Sequence, residues 1–275
     1  MIQDIAPHVY DNAFAHRREA RPDDAVFITR NGKEVLIREE ANGFRFPTVA
    51  ETEGMPLYFA FLIDETAFFI GDEEMEMEGF RYAKLPEFRN KDPQYLSFAA
   101  VTGLQLVRWR KTQVYCGACG TKLEPSTWER AYVCPKCGQI NYPRLNPAVI
   151  VAVTHNDKIL VTTYSDRPSK GMACIAGFAE IGETIEECVH REVFEETGLK
   201  VKNLRFYKSQ PWSFTDTLLF GFYCDLDGDD ETVHVDPTEL KEGHWLRRDE
   251  IPNRSGEASL TAEMQEMFRL GKELR

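Results

Sequence analysis

Three glutamates in the second half of the chain have the residue type and the spacing for metal chemistry. Glu192, Glu195 and Glu196 follow at i, i+3 and i+4, so on a helix they share one face, together with Ile185 and Cys188. Carboxylates clustered beside apolar residues repel one another, and a cation would compensate them. Oxygen donors without His or Cys favour Mg²⁺ or Mn²⁺, which bridge to substrate phosphates. The alternative is a solvated acidic helix face.

Four cysteines have the spacing of a second kind of metal site. They form two Cys-x-x-Cys pairs, Cys116/Cys119 and Cys134/Cys137, with fourteen residues between the pairs. Each pair can turn both sulfurs to one side of a tight knuckle, and four thiolates then meet in the tetrahedral arrangement that structural zinc prefers. The pattern favours zinc over a redox pair or a disulfide. With all four positions filled by protein, this zinc would be structural.

The glutamates need a helix to position them, and the flanking residues predict one over 184–197. Thr184 and Glu187 fit a capping box, and Gly198 fits the end of the helix. Apolar runs predict strands around this helix, and a second helix follows near the C-terminus. The predicted strands are 148–154, 159–164, 204–208, 218–224 and 244–246, and the second helix is 259–273. Strands mixed with two helices indicate an α/β sandwich.

The first part of the chain is predicted to be β-rich. An Asn31-Gly32 turn between 25–29 and 35–37 indicates a hairpin, and 57–63 with 67–70 indicates another. A helix is expected over 92–109. No residue here has catalytic spacing, which favours a scaffold or an interface. We therefore expect three domains: a β-rich scaffold over 1–110, a four-cysteine zinc ribbon over 111–143 and a catalytic α/β domain over 144–275.

Composition narrows the class of protein. The chain has 275 residues, 45 acidic and 33 basic, and a formal net charge of −12, which argues against broad affinity for nucleic acid. No apolar stretch of about 18 residues is present, and the first residues lack the pattern of a signal peptide. The seven cysteines are an odd number, which with no export signal favours a reducing cytoplasm over a disulfide framework. We expect a cytoplasmic protein without a membrane partner.

The glutamate stretch as a whole resembles the Nudix hydrolase family. It matches without a gap the Nudix box, G-x5-E-x7-R-E-U-x-E-E-x-G-U, where U is apolar. The matching residues are Gly177, Glu183, Arg191, Glu192, Val193, Glu195, Glu196, Gly198 and Leu199. The resemblance implies an α/β/α sandwich that splits a nucleoside diphosphate linked to another group.

A second resemblance narrows the branch. Zinc-ligand cysteines ahead of a Nudix box, followed by Ser209-Gln210-Pro211-Trp212, are similar to the NADH pyrophosphatase (NAD diphosphatase) branch. That branch implies hydrolysis of NADH or NAD⁺ to nicotinamide mononucleotide and AMP. It also implies a homodimer and, in some members, removal of NAD caps from RNA. Its three-part organisation matches the domains predicted above.

The resemblance implies roles for individual residues. The divalent metal would be held by Glu192, Glu195 and Glu196, by the backbone carbonyl of Ala176, and by Glu239. Glu183 and Arg191 would brace the loop against the helix, and Gly177 and Gly198 would support it. Substrate contacts would come from Glu129, Tyr142, Phe178, Gln210, Pro211, Trp212, Ser213, Phe214, Thr215, Asp216, Thr217 and Thr261.

The substrate loop departs from the family pattern S-Q-P-W-P-F-P-x-S. Two prolines are replaced by Ser213 and Thr215, and the closing serine by Thr217. Because proline restricts the unbound backbone, the loop is expected to be looser, while Trp212 and Phe214 still offer rings for stacking. Asp216 adds a negative charge near an anionic ligand. The reaction class is therefore better defined than the substrate.

The mechanism implied is attack of a water in line on one phosphorus, with a carboxylate accepting its proton. Glu195, Glu196, Glu239 and Glu242 are all candidates for that base. Three alternatives stay open: NAD-capped RNA as substrate, another dinucleotide such as an ADP-sugar, and a non-catalytic nucleotide sensor. The basic run Arg108-Trp109-Arg110-Lys111 is interpreted as a solvated helix end or as a patch that faces RNA.

Overall fold

The computed structural model describes residues 1–164, 172–236 and 240–274, in two compact units. The N-terminal unit consists of Ile2–Arg144 with Ser213–Asp216, and the C-terminal unit of Met1, Leu145–Trp212 and the chain from Thr217 onward. Among the described residues, no helix is long and apolar enough to cross a membrane.

Two four-stranded sheets and one long helix form most of the N-terminal unit. The strands are β1 (Tyr10–Asp11), β2 (Ala25–Phe27), β3 (Thr29–Arg30), β4 (Glu34–Glu40), β5 (Gly43–Arg45), β6 (Leu57–Ile63), β7 (Thr66–Gly71) and β8 (Arg81–Lys84), and the helix is α1 (Gln94–Thr112). One sheet has the order β1-β6-β7-β2, and the other has β3-β4-β5 with β8 on β4. Single-turn 3₁₀ helices lie at Phe14–His16 and Val49–Glu51, and a longer one at Leu85–Arg89.

Both predicted hairpins of this unit are confirmed. β3 and β4 pair antiparallel across Asn31 and Gly32, whose φ angles of 53° and 64° are those of a type I′ turn. β6 and β7 pair antiparallel as well, although β7 begins one residue earlier than predicted. The predicted strand 25–29 is wrong as a single element, because 25–27 pairs with β7 while Thr29 pairs with β4. Because the strand is interrupted at Ile28, the apolar run 25–29 contributes a strand to each of two sheets.

The cysteine segment forms a small three-stranded sheet within the N-terminal unit. Its strands are β9 (Glu124–Pro125), β10 (Tyr132–Val133) and β11 (Ile140–Asn141), in the order β11-β10-β9. Its core comprises Cys116, Leu123, Tyr132 and Cys134, against which Trp109 of α1 packs. So few apolar side chains cannot stabilise a domain by burial alone.

The C-terminal unit is an α/β/α sandwich, which confirms the predicted fold class. Its strands are β12 (Asn146–His155), β13 (Lys158–Tyr164), β14 (Ile175–Phe178), β15 (Val201–Trp212), β16 (Thr217–Leu226) and β17 (Leu240–Arg247), and its helices are α2 (Ile185–Thr197) and α3 (Leu260–Arg269). A 3₁₀ turn lies at Arg248–Glu250. The sheet has the order β15-β16-β12-β13-β17, with β14 also on β12, and β12 and β16 run parallel.

The alternation of side chains along β12 explains the two helix layers. Val149, Val151 and Val153 belong to the apolar cluster that includes Val189 and Val193 of α2. The intervening Ile150 and Ala152 belong to the opposite cluster, which includes Leu260, Met264 and Phe268 of α3. Successive side chains of a strand point to opposite faces, so one continuous apolar run receives a helix on each side.

All five predicted strands of this unit are longer in the structure than the sequence predicted, and β14 was not predicted. β15 extends from Val201 to Trp212 rather than over 204–208, because it is an edge strand whose exposed polar residues and Pro211 carry little apolar signal. The last helix is shorter than predicted, ending at Arg269 rather than at 273.

Candidate active site and metal centres

Helix α2 carries the glutamates, and capping residues close to it in sequence define both of its ends. Thr184 is its N-cap: the Thr184 Oγ1 accepts the backbone N–H of Glu187 at 3.1 Å, and the Glu187 carboxylate accepts the backbone N–H of Thr184 at 2.8 Å. Gly198 ends the helix with a φ of 71°, a conformation that glycine adopts without strain. The capping box and the terminating glycine are therefore as predicted.

The three glutamates differ in their burial. Glu192 and Glu196 are buried, with exposed fractions of 8% and 2%, whereas Glu195 is exposed. The Glu192 carboxylate lies against the backbone of Gly177, at a place where a Cβ atom would be 1.8 Å from its Cδ. Gly177 thus leaves the space that Glu192 occupies. The adjacent Ala176 lies in β14, opposite Ile150 of β12.

Arg191 connects three parts of the C-terminal unit: the segment between β14 and α2, the end of β14, and helix α2 itself. Its Nε and Nη2 donate to the two carboxylate oxygens of Glu183, at 2.7 and 2.9 Å, and Nη2 also donates to the carbonyl of Phe178 at 2.9 Å. Nη1 donates to Glu192 at 2.7 Å and to Glu195 at 2.9 Å. The pKa of Glu183 is lowered to about 2 by its hydrogen bonds to Arg191. Arg191 therefore touches two of the predicted metal ligands as well as the predicted brace.

The glutamate face fits a hard divalent cation by the chemistry of its donors. Glu192, Glu195 and Glu196 offer only oxygen, and two of the three carboxylates are buried, so a cation would offset three negative charges on one face. Their ligand atoms do not all lie within 4.8 Å of one another in the described structure. Glu239, the fourth predicted carboxylate, lies outside the described residues.

The cysteine quartet forms the second centre, and its geometry fits zinc. The Sγ atoms of Cys116 and Cys137 are 3.6 Å apart, those of Cys119 and Cys134 3.5 Å, and those of Cys119 and Cys137 3.6 Å. Tetrahedral ligands about 2.3 Å from a zinc ion would be about 3.8 Å apart, whereas a disulfide needs about 2.05 Å. The four thiols therefore surround a zinc-sized centre.

The two cysteine knuckles have the same backbone geometry. The N–H of Gly120 donates to the carbonyl of Cys116 at 2.9 Å, and the N–H of Gly138 donates to that of Cys134 at 3.0 Å. Both glycines are left-handed, with φ angles of 71° and 76°. The glycine after each pair is thus required by the turn that brings the sulfurs together.

The predicted substrate residues are divided between the two units. In the N-terminal unit, the Tyr142 hydroxyl donates to Glu129 at 3.0 Å, and this bond raises the pKa of Tyr142. In the C-terminal unit, Phe178 ends β14 with its side chain 56% exposed. Pro211 and Trp212 end β15, Thr217 begins β16, and Thr261 lies in the first turn of α3.

Gln210 has a structural role that the sequence did not reveal. Its side chain is fully buried; Nε2 donates to the carbonyl of Ala258 at 2.9 Å, and Oε1 accepts the N–H of Leu260 at 2.7 Å. These bonds fix the backbone at the start of α3. A bond across 50 residues leaves no local pattern from which it could be predicted.

The loop residues 213–216 are held by the end of α1, within the N-terminal unit. Arg108 donates from Nε to Asp216 at 3.2 Å, from Nη2 to the same carboxylate, and from Nη2 to the carbonyl of Ser213. Phe214 lies 5.3 Å from the guanidinium of Arg89. Thr215 also has an interaction partner in the protein. The negative charge of Asp216 is thus balanced inside the protein, and these contacts oppose the loosening expected from the missing prolines.

The interpretation of the basic run as a solvated helix end is wrong for two of its residues. Arg108 is the partner of Asp216, and the Arg110 guanidinium stacks on Tyr58, 3.1 Å from the ring centroid. The pairing of Arg108 spans 108 residues. An interpretation based on neighbouring residues therefore could not identify Asp216 as the partner of Arg108.

Comparison with known proteins agrees with the two sequence resemblances. Residues 144–269 match the NUDIX domain, and residues 111–142 match the NADH pyrophosphatase zinc ribbon domain. The NAD-capped RNA hydrolase NudC of Escherichia coli O1:K1 is 41% identical over 150 residues, which are 54% of this chain and 58% of that protein. Its namesake from Shigella dysenteriae serotype 1 is 41% identical over 157 residues, 57% of this chain and 60% of the relative.

The aligned region thus spans less than two thirds of the length of these relatives. A NUDIX hydrolase from Nitrosomonas europaea, known from its crystal structure, aligns with 56% of this chain and 89% of its own at 23% identity and a TM-score of 0.47. A single residue, at position 143, separates the two matched regions. Residues 144–269 therefore match a Nudix domain, and the residues just before them match the NADH pyrophosphatase zinc ribbon domain.

Proposed function

We propose that this protein hydrolyses the diphosphate linkage of NADH or NAD⁺ to nicotinamide mononucleotide and AMP. The observation that carries the proposal is the face of α2, where Arg191 contacts Glu192 and Glu195 while Glu192 and Glu196 are buried against the fold. Buried carboxylates at Nudix-box positions suit a charged phosphate substrate once a divalent cation offsets them. The adjoining NADH pyrophosphatase zinc ribbon supports a nicotinamide dinucleotide as that substrate.

The residues that would hold Mg²⁺ or Mn²⁺ are Glu192, Glu195, Glu196 and Glu239, with the carbonyl of Ala176. When bound, such a cation withdraws charge from the diphosphate oxygens and so lowers their repulsion of a nucleophile. Zinc in the cysteine quartet would be structural, because all four ligands are supplied by the protein.

The chain's own groups would position the reactants and accept a proton. A water attacks one phosphorus in line, the bond from that phosphorus to the bridging oxygen breaks, and the proton of the water passes to a carboxylate. Glu195, Glu196, Glu239 and Glu242 are the candidates for that carboxylate. Glu195 is the exposed member of the α2 face, and Glu242 is exposed on β17, 3.2 Å from Nε2 of His244.

The division into domains at 1–110, 111–143 and 144–275 stays a prediction from the sequence. Assembly as a homodimer and the substrate contacts predicted above rest on the resemblance to the NADH pyrophosphatase branch. A cytoplasmic setting rests on the odd number of cysteines and on the four that form the zinc site, a pattern that suits a reducing compartment.

A second candidate substrate is NAD-capped RNA, from which the same bond cleavage removes the cap. It is favoured by the relatives that carry this name at 41% identity. The chemistry at phosphorus is unchanged, and only the group attached to the adenosine differs.

A substrate panel tests both candidates. The zinc-loaded full chain is incubated with NADH, NAD⁺, an ADP-sugar and NAD-capped RNA, with Mg²⁺ or Mn²⁺, and the products are resolved by mass. We expect one AMP for each nicotinamide mononucleotide, or a 5′-monophosphate on the RNA. If none of the four substrates is cleaved at the diphosphate, the proposal is wrong.

A further inference from the structure

A small cavity, of about 200 Å³, lies within the N-terminal unit, where β6, β7, α1 and the hairpin of β9 and β10 meet. Its walls are mostly apolar, and they include the aromatic rings of Phe14, Tyr58, Trp109 and Tyr132. An apolar cavity of about 150 Å³ is enough to hold benzene, whereas sites for larger ligands usually exceed about 300 Å³. The cavity therefore fits a ligand built on one ring and is too small for a nucleotide.

The charged groups of this cavity are mainly cationic, in a protein whose net charge is −12. Three guanidinium groups line it, those of Arg17, Arg110 and Arg130, against the single carboxylate of Glu129. Arg17 and Arg130 form no ion pair with any residue in the described part of the chain. Positive charge is thus in excess in the lining, which attracts an anion into the cavity.

Arg130 is partly buried as well as lacking a counterion. Burial away from water lowers the pKa of Arg130, since the charged form loses solvation there. Among its N–H groups, only Nη2 has an acceptor within the described residues, the carbonyl of Asn12 at 3.0 Å. A guanidinium that has lost water without gaining a counterion is costly. A carboxylate would offset that cost, because it can accept two parallel hydrogen bonds from one guanidinium.

Reciprocal hydrogen bonds hold two of the arginines in place. Nη2 of Arg17 donates to the carbonyl of Thr127 at 2.9 Å, while Nη2 of Arg130 donates to Asn12, so each segment holds an arginine of the other. Both guanidinium groups also lie over the ring of Phe14, with Cζ atoms 4.7 and 5.7 Å from its centroid. Groups held in this way lose little freedom when they bind a ligand. The cations and the apolar wall are therefore preorganised side by side.

We propose that this cavity binds a small organic acid, whose carboxylate pairs with Arg130 and Arg17 and whose single ring occupies the apolar part. An inorganic anion would leave the apolar walls without a partner, and a neutral ring would leave the guanidinium charge without one. Of the predicted substrate contacts that the structure describes, only Glu129 lines the cavity, and its carboxylate accepts the hydroxyl of Tyr142. The inference does not depend on the proposed hydrolysis.

Calorimetry with the zinc-loaded full chain tests the proposal, with benzoate as the probe. Acetate, which lacks the ring, and benzyl alcohol, which lacks the charge, are measured beside it, and AMP is added as a competitor. R130Q removes a cation, whereas L106F narrows the cavity from α1 and leaves every arginine in place. R38Q is the matched control, because Arg38 is an exposed arginine of the same unit that lies outside the cavity.

We expect benzoate to bind about tenfold more tightly than acetate or benzyl alcohol, because each of these lacks one of the two interactions. R130Q and L106F should each lower the benzoate affinity about tenfold, and R38Q should bind benzoate as wild type does. Thermal unfolding checks that the variants are folded; if R130Q is not, L106F decides the test. Absence of benzoate binding, equal affinity in wild type and L106F, an equal loss in R38Q, or displacement of benzoate by AMP would overturn the proposal.

Discussion

The carboxylate of Glu192 fills the space that a side chain on Gly177 would need. A Cβ atom on Gly177 would lie 1.8 Å from Cδ of Glu192 and 2.1 Å from each of its carboxylate oxygens. Gly177 is a strand residue, paired with Val149 of β12, so the backbone cannot easily retreat. The glycine of the Nudix box thus determines where a predicted metal ligand lies.

We therefore expect G177A to displace the Glu192 carboxylate. A shift of about 1 Å at a catalytic group can cost about a hundredfold in rate, and the crowding should destabilise the fold by about 1–3 kcal/mol. Steady-state kinetics on the cleaved dinucleotide and Mn²⁺ affinity measured by electron paramagnetic resonance test this. G117A is the control, since a Cβ there meets nothing within 4 Å. Wild-type rate and Mn²⁺ affinity in G177A would contradict the assignment of Glu192 as a ligand.

Substitution of the helix glutamates separates catalysis from folding. We expect E195Q and E196Q to lower turnover by orders of magnitude while the zinc content stays at the wild-type level. Glutamine keeps the size of the side chain but removes the charge that a divalent cation requires. E186Q is the matched control, because Glu186 is exposed on the same helix and away from this face. Full activity in either E195Q or E196Q would remove that residue from the proposed metal site.

Acid should weaken the brace between Arg191 and Glu183. The folded pKa of Glu183 is about 2, below the ordinary value of 4.5, because Arg191 hydrogen-bonds the ionised form. A lowered carboxyl pKa stabilises the fold fully above pH 4.5, and this contribution is lost as the pH falls towards 2. E183Q should therefore be less stable than wild type at neutral pH, with the difference narrowing below pH 4.5. Urea midpoints across this range measure it; a difference that stays constant with pH would show that the ion pair contributes nothing.

The zinc ribbon should depend on its metal for structure. C134S is expected to lose the one zinc that the quartet would hold, because three thiolates leave the tetrahedron incomplete. Hydrogen exchange of the knuckle amides, such as those of Gly120 and Gly138, should then accelerate. C174S is the control, since Cys174 is buried in the C-terminal unit. Retention of zinc and of amide protection in C134S would show that the quartet does not bind the ion.

The parts of the site that could be predicted from sequence are those fixed by neighbouring residues. The cap at Thr184, the end of α2 at Gly198 and the two cysteine knuckles each depend on residues within a few positions, and all are found. Their physical causes are local hydrogen bonds and glycine's access to positive φ. A single sequence therefore carries enough information to predict them.

The parts that could not be predicted depend on distant partners. Arg108 and Asp216 meet across 108 residues. From the sequence, Arg108 was interpreted as part of a solvated helix end or of a patch that faces RNA, and Asp216 as a charge of the substrate loop. The full length of β15 was missed because an edge strand with mostly exposed polar side chains lacks the apolar alternation of a half-buried one. The pairing of Arg108 with Asp216 and the strand pairing of β15 both depend on the whole fold, and neighbouring residues do not determine them.

Gln210 gives a final test in which two roles predict different results. The resemblance assigns it to the substrate, whereas its buried amide binds the backbone of Ala258 and Leu260 at the start of α3. If the structural role governs, Q210A should destabilise the protein by about 1–3 kcal/mol, because the buried N–H of Leu260 and the partly buried carbonyl of Ala258 lose their partner. KM should then change little in variant protein that is still folded. Thermal unfolding and steady-state kinetics on the same samples distinguish the roles, with T261A, a neighbouring position predicted to contact the substrate, as the comparison. A raised KM at unchanged stability would instead place Gln210 among the substrate contacts.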